Sequence, residues 1–266
     1  MRIVCNEQHT REWHKAKLGI VSASQVWRAM DALKVKSKNG SSGDPSSEQL
    51  KYRDELAMEI LSGAPVEHWV SPEMDAGTAL EPKARQEYIF RNDCPELAWQ
   101  TGFVLHPTMD RLGASPDLLI KPNLGAEFKC PKLNTHLGYL FAYAKAIAPQ
   151  FSADKELIRA PLTGNELAEA VMPEKYLLQA HTVIACCELD ALDWVSYYPS
   201  DSDIGDDLRD GKPWLLRPDI PDELKYLQIR VERDEKKIAE IEDKVEVFNE
   251  RLLEYLDTMK SILCKR

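Results

Sequence analysis

Gly113-Ala114-Ser115-Pro116-Asp117-Leu118-Leu119-Ile120-Lys121-Pro122-Asn123-Leu124-Gly125-Ala126-Glu127-Phe128-Lys129-Cys130-Pro131 reads as two short strands flanking a Pro-Asn turn. Asp117 and Glu127 stand equally far from Pro122, so a hairpin folded there sets the two carboxylates opposite each other. Glu127 and Lys129 are two apart and share one face of a strand, while Phe128 points the other way, towards a core. Two carboxylates and an ammonium converging on one spot suit a divalent-metal site with a charged group beside an attacking water. A polar hairpin with an exposed ion pair shows the same pattern, so the neighbouring segments have to decide.

On the N-terminal side, residues 7–18 have a helical pattern ending at Gly19, with Trp13 and Leu18 as anchors. Ser22-Ala23-Ser24 offers an N-cap for a second helix over Gln25–Leu33. Two hydroxyls at a helix start beside Lys15 and Lys17 serve either as a phosphate site or as ordinary caps. Residues 34–47 form a basic Ser/Gly-rich loop that tracks a DNA backbone or is a solvated insertion. Helices are expected over Glu48–Leu61, stopped by Gly63, and over Pro72–Asn92, with a kink or restart at Pro82. Glu81, just before that proline, is either a third carboxylate for a metal cluster or a surface residue.

Further strands are expected over Trp99–His106, Arg111–Ile120, Gly125–Cys130 and Ala191–Tyr198, and helices over 134–148 and Glu174–Glu188. Residues 146–172 read as an insertion and 201–221 as a linker. From Leu224 to Ile262 apolar residues alternate three and four apart, and Asp234 is the one charge in the seam. So narrow a stripe predicts a coiled-coil helix over 222–266, with self-association favoured over docking on the protein's own body. The fold class is mixed α/β: a small mixed sheet flanked by helices over residues 1–200, then the linker and the C-terminal helix.

At 266 residues, 44% hydrophobic and 29% charged, the chain suits a soluble globular protein with ample core. No run approaches the ~20 apolar residues of a membrane span, and Met1–Cys5 lacks the apolar run of a secretory signal. The six cysteines show no Cys-x-x-Cys or zinc spacing and read as reduced thiols of a cytoplasmic protein. The net charge of −10 weighs against nucleic acid, but residues 1–53 hold ten Lys/Arg against five Asp/Glu. An acidic body with a basic entrance is compatible with DNA cleavage.

Glu12-Trp13-His14-Lys15 with Leu18-Gly19, Ser22-Ala23-Ser24, Gly77 with Glu81, Ser115-Pro116-Asp117, Glu127-Phe128-Lys129-Cys130-Pro131, and Tyr176 with Gln179 occur in a telling order. Together they resemble the phage lambda exonuclease family, or YqaJ-type viral recombinases, of the PD-(D/E)xK nuclease superfamily. The resemblance covers roughly residues 10 to 200, including the ten-residue Asp-to-Glu spacing. It implies a restriction-endonuclease-like core and two Mg²⁺ ions, with Mn²⁺ able to substitute. Glu81, Asp117, Glu127 and Phe128 would be the metal ligands, with Asp117 bridging. Lys129 would orient or deprotonate the attacking water, with Gln179 behind the site. Lys17, Ser22, Ser24 and Ser115 would hold phosphate, and Met74 would wedge apart the terminal base pair.

This sequence departs from the family pattern at Lys17, where the best-known member has arginine, and at Leu118, where the motif has glycine. Lysine keeps the charge and loses a bidentate grip. The function so implied is a Mg²⁺-dependent 5′→3′ double-strand exonuclease, homo-oligomeric, feeding single strands to an annealing protein in the cytoplasm of a bacterial or phage-infected cell. The competing readings are a site- or structure-specific endonuclease of the same superfamily and an inactive coiled-coil DNA-binding adaptor.

Overall fold

The computed structural model describes residues 1–32, 43–67, 71–148, 162–204 and 218–264, apart from the side chains of Glu73, Met74 and Ser202. The strands are β1 (Arg2–Cys5), β2 (Val21–Ser22), β3 (Ala98–Trp99), β4 (Phe103–Leu105), β5 (Leu112–Ala114), β6 (Leu118–Ile120), β7 (Leu124–Lys129), β8 (Ala191–Tyr197) and β9 (Tyr226–Glu232). The helices are α1 (Arg11–Ala16), α2 (Val26–Met30), α3 (Ser47–Ser62), α4 (Pro72–Arg91), α5 (Leu133–Ile147), α6 (Gly164–Val171), α7 (Glu174–Cys187) and α8 (Glu235–Leu263). A four-stranded sheet runs β1-β4-β5-β2 and a five-stranded one β3-β6-β7-β8-β9, both mixed. This is the mixed α/β architecture expected from the sequence.

The two sheets meet where the chain changes from one to the other. The single strand expected over Arg111–Ile120 is two, with β5 in one sheet and β6 in the other. Ser115-Pro116-Asp117 makes the crossing, and Pro116 has no N–H to continue a ladder. The expected Trp99–His106 strand is likewise divided at Gly102. A Cβ there would stand 2.7 Å from the Cys5 carbonyl oxygen and 2.8 Å from Glu7 backbone atoms, so only glycine lets the chain pass.

Other boundaries moved for local reasons. α1 starts late because Thr10 caps it, accepting the Trp13 N–H at 3.1 Å, and the residues before it include the unanticipated strand β1. Ser22 stands at the start of a 3₁₀ turn without a side-chain cap bond, so its hydroxyl is not spent on capping. α3 has its Ser46 cap and ends at left-handed Gly63, whereas α4 runs on through Pro82 without restarting. The region read as an insertion contains α6, while 149–161 lies outside the described residues, as do 33–42 of the basic loop and 205–217 of the linker.

The heptad reading of the tail needs correction. Tyr226–Glu232 is β9, paired antiparallel with β8 along its whole length, and the helix starts only at Glu235. Asp234 is no seam position: its Oδ1 accepts the Lys236 and Lys237 N–H groups at 2.9 and 3.2 Å, an N-cap that separates strand from helix. Alternation of Tyr226, Leu227, Gln228, Ile229, Arg230 and Val231 has the period of a strand, and spacing of three and four can be threaded through it only by skipping Ile229. Ile238, Ile241, Val245, Phe248, Leu252 and Leu256 of α8 are buried in the main core, with Phe248 stacked on Tyr52 of α3 at 5.7 Å. The apolar stripe therefore packs on the protein's own body, against α2, α3 and α7. A separate coiled-coil unit from 222 is not what the structure shows. Among the described residues no helix is long and apolar enough to cross a membrane.

Candidate active site

The β6–β7 pairing matches Leu118 with Ala126, Leu119 with Gly125 and Ile120 with Leu124. One step beyond, Asp117 and Glu127 face each other, as the position of Pro122 predicts. Both are buried, at 8% and 4% exposure. The Phe128 N–H donates to Asp117 Oδ2 at 2.8 Å. Glu127 Oε1 accepts from Lys129 Nζ at 2.7 Å and from Gln179 Nε2, on α7, at 2.5 Å. Glu127 Oε2 is buried and has no hydrogen-bond partner among the described residues. Phe128 turns its ring into the core, edge-on to Tyr88 at 5.7 Å, so any ligand role falls to its main-chain carbonyl.

Glu81 reaches the same region from α4 and accepts from Arg85 Nη2 at 2.5 Å. Burial, then Glu127 and Glu81, push the Asp117 carboxyl well above its usual range, against the pull of Lys129 and the Phe128 N–H. Burial also raises Glu81, with Arg85 opposing and Glu127 adding to the rise. For Lys129 burial acts downward, but Glu127 and Asp117 outweigh it and hold the amine above its usual value. Three carboxylates thus share one field that a single ammonium and one guanidinium do not neutralise.

That is the charge a hard divalent cation supplies, and oxygen donors are what it takes. The orphaned Glu127 Oε2 is a buried acceptor with no partner among the described residues, so the residues fit such an ion. Among the described residues no three His, Cys, Asp or Glu groups stand as a ready-made ligand set. Glu127 Oε1 and Glu81 Oε1 are instead taken up by cations and an amide.

The phosphate candidates form a second, adjoining group. Lys17, Ser22 and Ser24 line a cavity of about 510 Å³ together with Trp13, Arg28 and Tyr52. Burial brings Lys17 down to about 8, with Glu59 opposing, and its Nζ lies 3.8 Å from the Trp13 ring centre. Arg28 is committed to Glu55 and Glu48. Ser115 is joined to this group through Trp13, whose Nε1–H donates to Ser115 Oγ at 2.8 Å. The Met74 side chain lies outside the described residues.

Sequence reasoning overlooked Arg85, which a Glu-Arg pair four apart on a helix could have signalled. It also overlooked Tyr176 as a ring 5.1 Å from Lys129 Nζ, and His9, whose imidazole favours the Glu81 carboxylate. No sequence signal marks His9.

Comparison with known proteins bears on the family and the fold. A family model described as YqaJ-like viral recombinase domain matches residues 12–190. An alkaline exonuclease, LHK-Exo from Laribacter hongkongensis, is 28% identical with a TM-score of 0.66, over 96% of this chain and 99% of that one. The same enzyme in complex with dAMP gives a TM-score of 0.67 over the same shares at 28% identity. A phage-related exonuclease from Haemophilus somnus shares the fold at 14% identity, with a TM-score of 0.59 over 90% and 96% of the two chains. No curated protein matches the sequence.

Proposed function

As this chain belongs to the YqaJ-like viral recombinase family and is a nuclease of the alkaline exonuclease type, we propose that it is a Mg²⁺-dependent exonuclease. It degrades double-stranded DNA 5′→3′ and passes the exposed strand to an annealing protein. The observation that carries this reading is the buried Asp117–Glu127 pair, with an orphaned Glu127 oxygen, beside Glu81 and Lys129. The dAMP held by LHK-Exo is a mononucleotide, in keeping with removal of one nucleotide at a time.

Asp117, Glu127, Glu81 and the Phe128 carbonyl would hold the metal. When bound, divalent ions lower the pKa of an attacking water and offset charge on the phosphate. Lys129, hydrogen-bonded to Glu127, orients that water or takes its proton. Gln179 fixes the Glu127 carboxylate from behind. Lys17, Ser22, Ser24 and Ser115 hold the terminal 5′-phosphate. Self-association through the C-terminal stripe loses most of its basis, because the stripe from Ile238 to Leu256 is inside the fold, while Leu224 and Ile262 at its ends are exposed.

The deciding experiment is a time course on linear duplex labelled at either end, with closed circular DNA alongside. Release of 5′ label as mononucleotide, with circles intact, is expected, and nicked circles would favour the endonuclease reading. Lys129→Ala is expected to keep metal binding by calorimetry and to lose about two to three orders of magnitude in rate, as for other preorganised donors. Glu127→Gln is expected to weaken metal binding, with excess Mn²⁺ restoring part of the rate. A variant Lys129→Ala that binds no metal would contradict the division of roles.

The terminal pocket makes a separate prediction. Lys17 loses its proton near pH 8 in the free protein, so it carries charge for a phosphate below that pH and less above it. The ratio of rates on 5′-phosphate and 5′-hydroxyl duplexes should therefore fall as pH rises from about 7 to about 9. Lys17→Met should flatten that fall. A ratio of one throughout would remove Lys17 and its serines from the end-binding role.

A further inference from the structure

We propose, resting on the exonuclease reading above, that His9 is a DNA-contacting residue whose imidazole donates to a backbone phosphate of the strand being cut. It stands between the Lys17 cavity and the carboxylate site. His9 has left-handed backbone, with φ 62°. The other two such non-glycine residues, Asp93 and Glu188, follow the C-terminal ends of α4 and α7, where that conformation is ordinary. His9 lies in the turn that leads into α1, and its left-handed backbone is fixed together with the residues around it.

Those surroundings are on both sides. Gln8 Nε2 donates to the Thr101 and Pro116 carbonyls at 3.1 and 2.8 Å, tying the preceding residue to the segment that carries Asp117. Thr10 caps α1. The His9 ring lies against Trp13, 5.2 Å between centres, and Trp13 in turn holds Ser115. Burial, Arg85 and Glu127 act most strongly on Glu81, and the imidazole adds to the field that favours its charged form. His9 is thus fixed relative to Ser115-Pro116-Asp117, yet it is exposed and its ring makes no hydrogen bond among the described residues.

A phosphate approaching this site meets three carboxylates. Lys129 is engaged by Glu127, Arg85 by Glu81, and Arg28 by Glu55 and Glu48, while Lys17 lies over the Trp13 ring in the terminal pocket. An unspent imidazole N–H, packed on the Trp13 that holds Ser115, supplies a donor where a phosphate has to pass from the terminal pocket to the cutting site.

The test is a double-mutant cycle of His9→Asn against single methylphosphonate linkages at successive positions of the 5′-phosphorylated strand. Asparagine tolerates left-handed backbone, so the change deletes the ring without forcing the loop to move. His9→Asn is expected to raise KM about ten-fold, the effect of one hydrogen bond to a charged group, with kcat changed by less than about two-fold. Its Tm should not fall and its metal titration should match the wild type, which separates contact with DNA from support of the fold or of Glu81. One neutral linkage should raise the wild-type KM by the same factor and leave that of the variant unchanged. An unaltered KM in His9→Asn, a changed metal titration, or no linkage whose effect depends on residue 9 overturns the proposal and leaves the exonuclease reading standing. Wild-type protein that neither binds duplex ends by fluorescence anisotropy nor cuts them overturns that reading, and the proposal falls with it.

Discussion

Asp117→Asn is expected to lose duplex cleavage by more than about a thousandfold, beyond the loss from one preorganised donor, and at the same time to make the metal-free protein more stable at neutral pH. Both effects have one cause. Asp117 is buried opposite Glu127 and in the field of Glu81, and its carboxyl is pushed well above the usual range by burial first and by those two charges next. A carboxyl raised in the fold takes up its proton more readily folded than unfolded. Its favourable contribution is complete below the unfolded pKa, about 3.9, and is lost as pH rises through the raised folded value. At neutral pH the ionised group therefore opposes folding until a cation relieves it.

Asparagine keeps the size and can still accept the Phe128 N–H, but it removes the charge. Thermal melting in chelator should show the variant above wild type at pH 8, with the gap closing as pH falls towards about 4. Millimolar Mg²⁺ or Mn²⁺ should raise the wild-type Tm at pH 8 and raise that of the variant much less. A variant within tenfold of wild-type activity would dismiss Asp117 as a metal ligand. A variant less stable than wild type in chelator would show that its charge is already balanced within the protein.

The hairpin around Pro122 was legible because its information is local. Strand alternation and a turn residue determine which side chains oppose, so Asp117, Glu127 and Lys129 could be placed together from spacing alone. Gln179 and Glu81 come from helices distant in sequence. Nothing in spacing brings α4 or α7 to β7: Glu81 could be read as a third carboxylate or a surface residue alike, and only the resemblance pointed to Gln179. The division of Arg111–Ile120 between two sheets was hidden because a continuous apolar run looks the same whether or not its ladder changes partners at Pro116. His9 was illegible for a different reason. Its placement depends on Gln8 reaching carbonyls more than ninety residues away.

The C-terminal segment shows how a real signal can be assigned to the wrong partner. Its apolar stripe is buried, as an isolated helix would require, but by α2, α3 and α7 of the same chain, and its first third is a strand. Deleting residues 222–266 is consequently expected to abolish folding rather than to release a monomer. β9 covers β8 from Ala191 to Tyr197 with seven residue pairs, so its loss exposes the edge of the strand that carries the fully buried Trp194. It also strips Asp193, fully buried on β8, of the Arg230 and Gln228 donors and leaves Tyr88 as its remaining partner. An unpaired buried carboxylate alone costs about 3–5 kcal/mol. Removing α8 uncovers the surface under six apolar side chains, each exposed by 3% or less. A single Phe→Ala change in such a place costs about 3–5 kcal/mol, against about 5–15 kcal/mol for the whole domain. The truncated chain should lack a cooperative melt and collect in the insoluble fraction. Phe248→Ala should remain folded with a lowered denaturant midpoint. Leu253→Glu and Ile262→Glu, at positions 43% and 58% exposed, should melt within a few degrees of wild type. A truncated protein that melts cooperatively and still degrades DNA would mean that β9 and α8 are an appendage after all, and that the core closes without them.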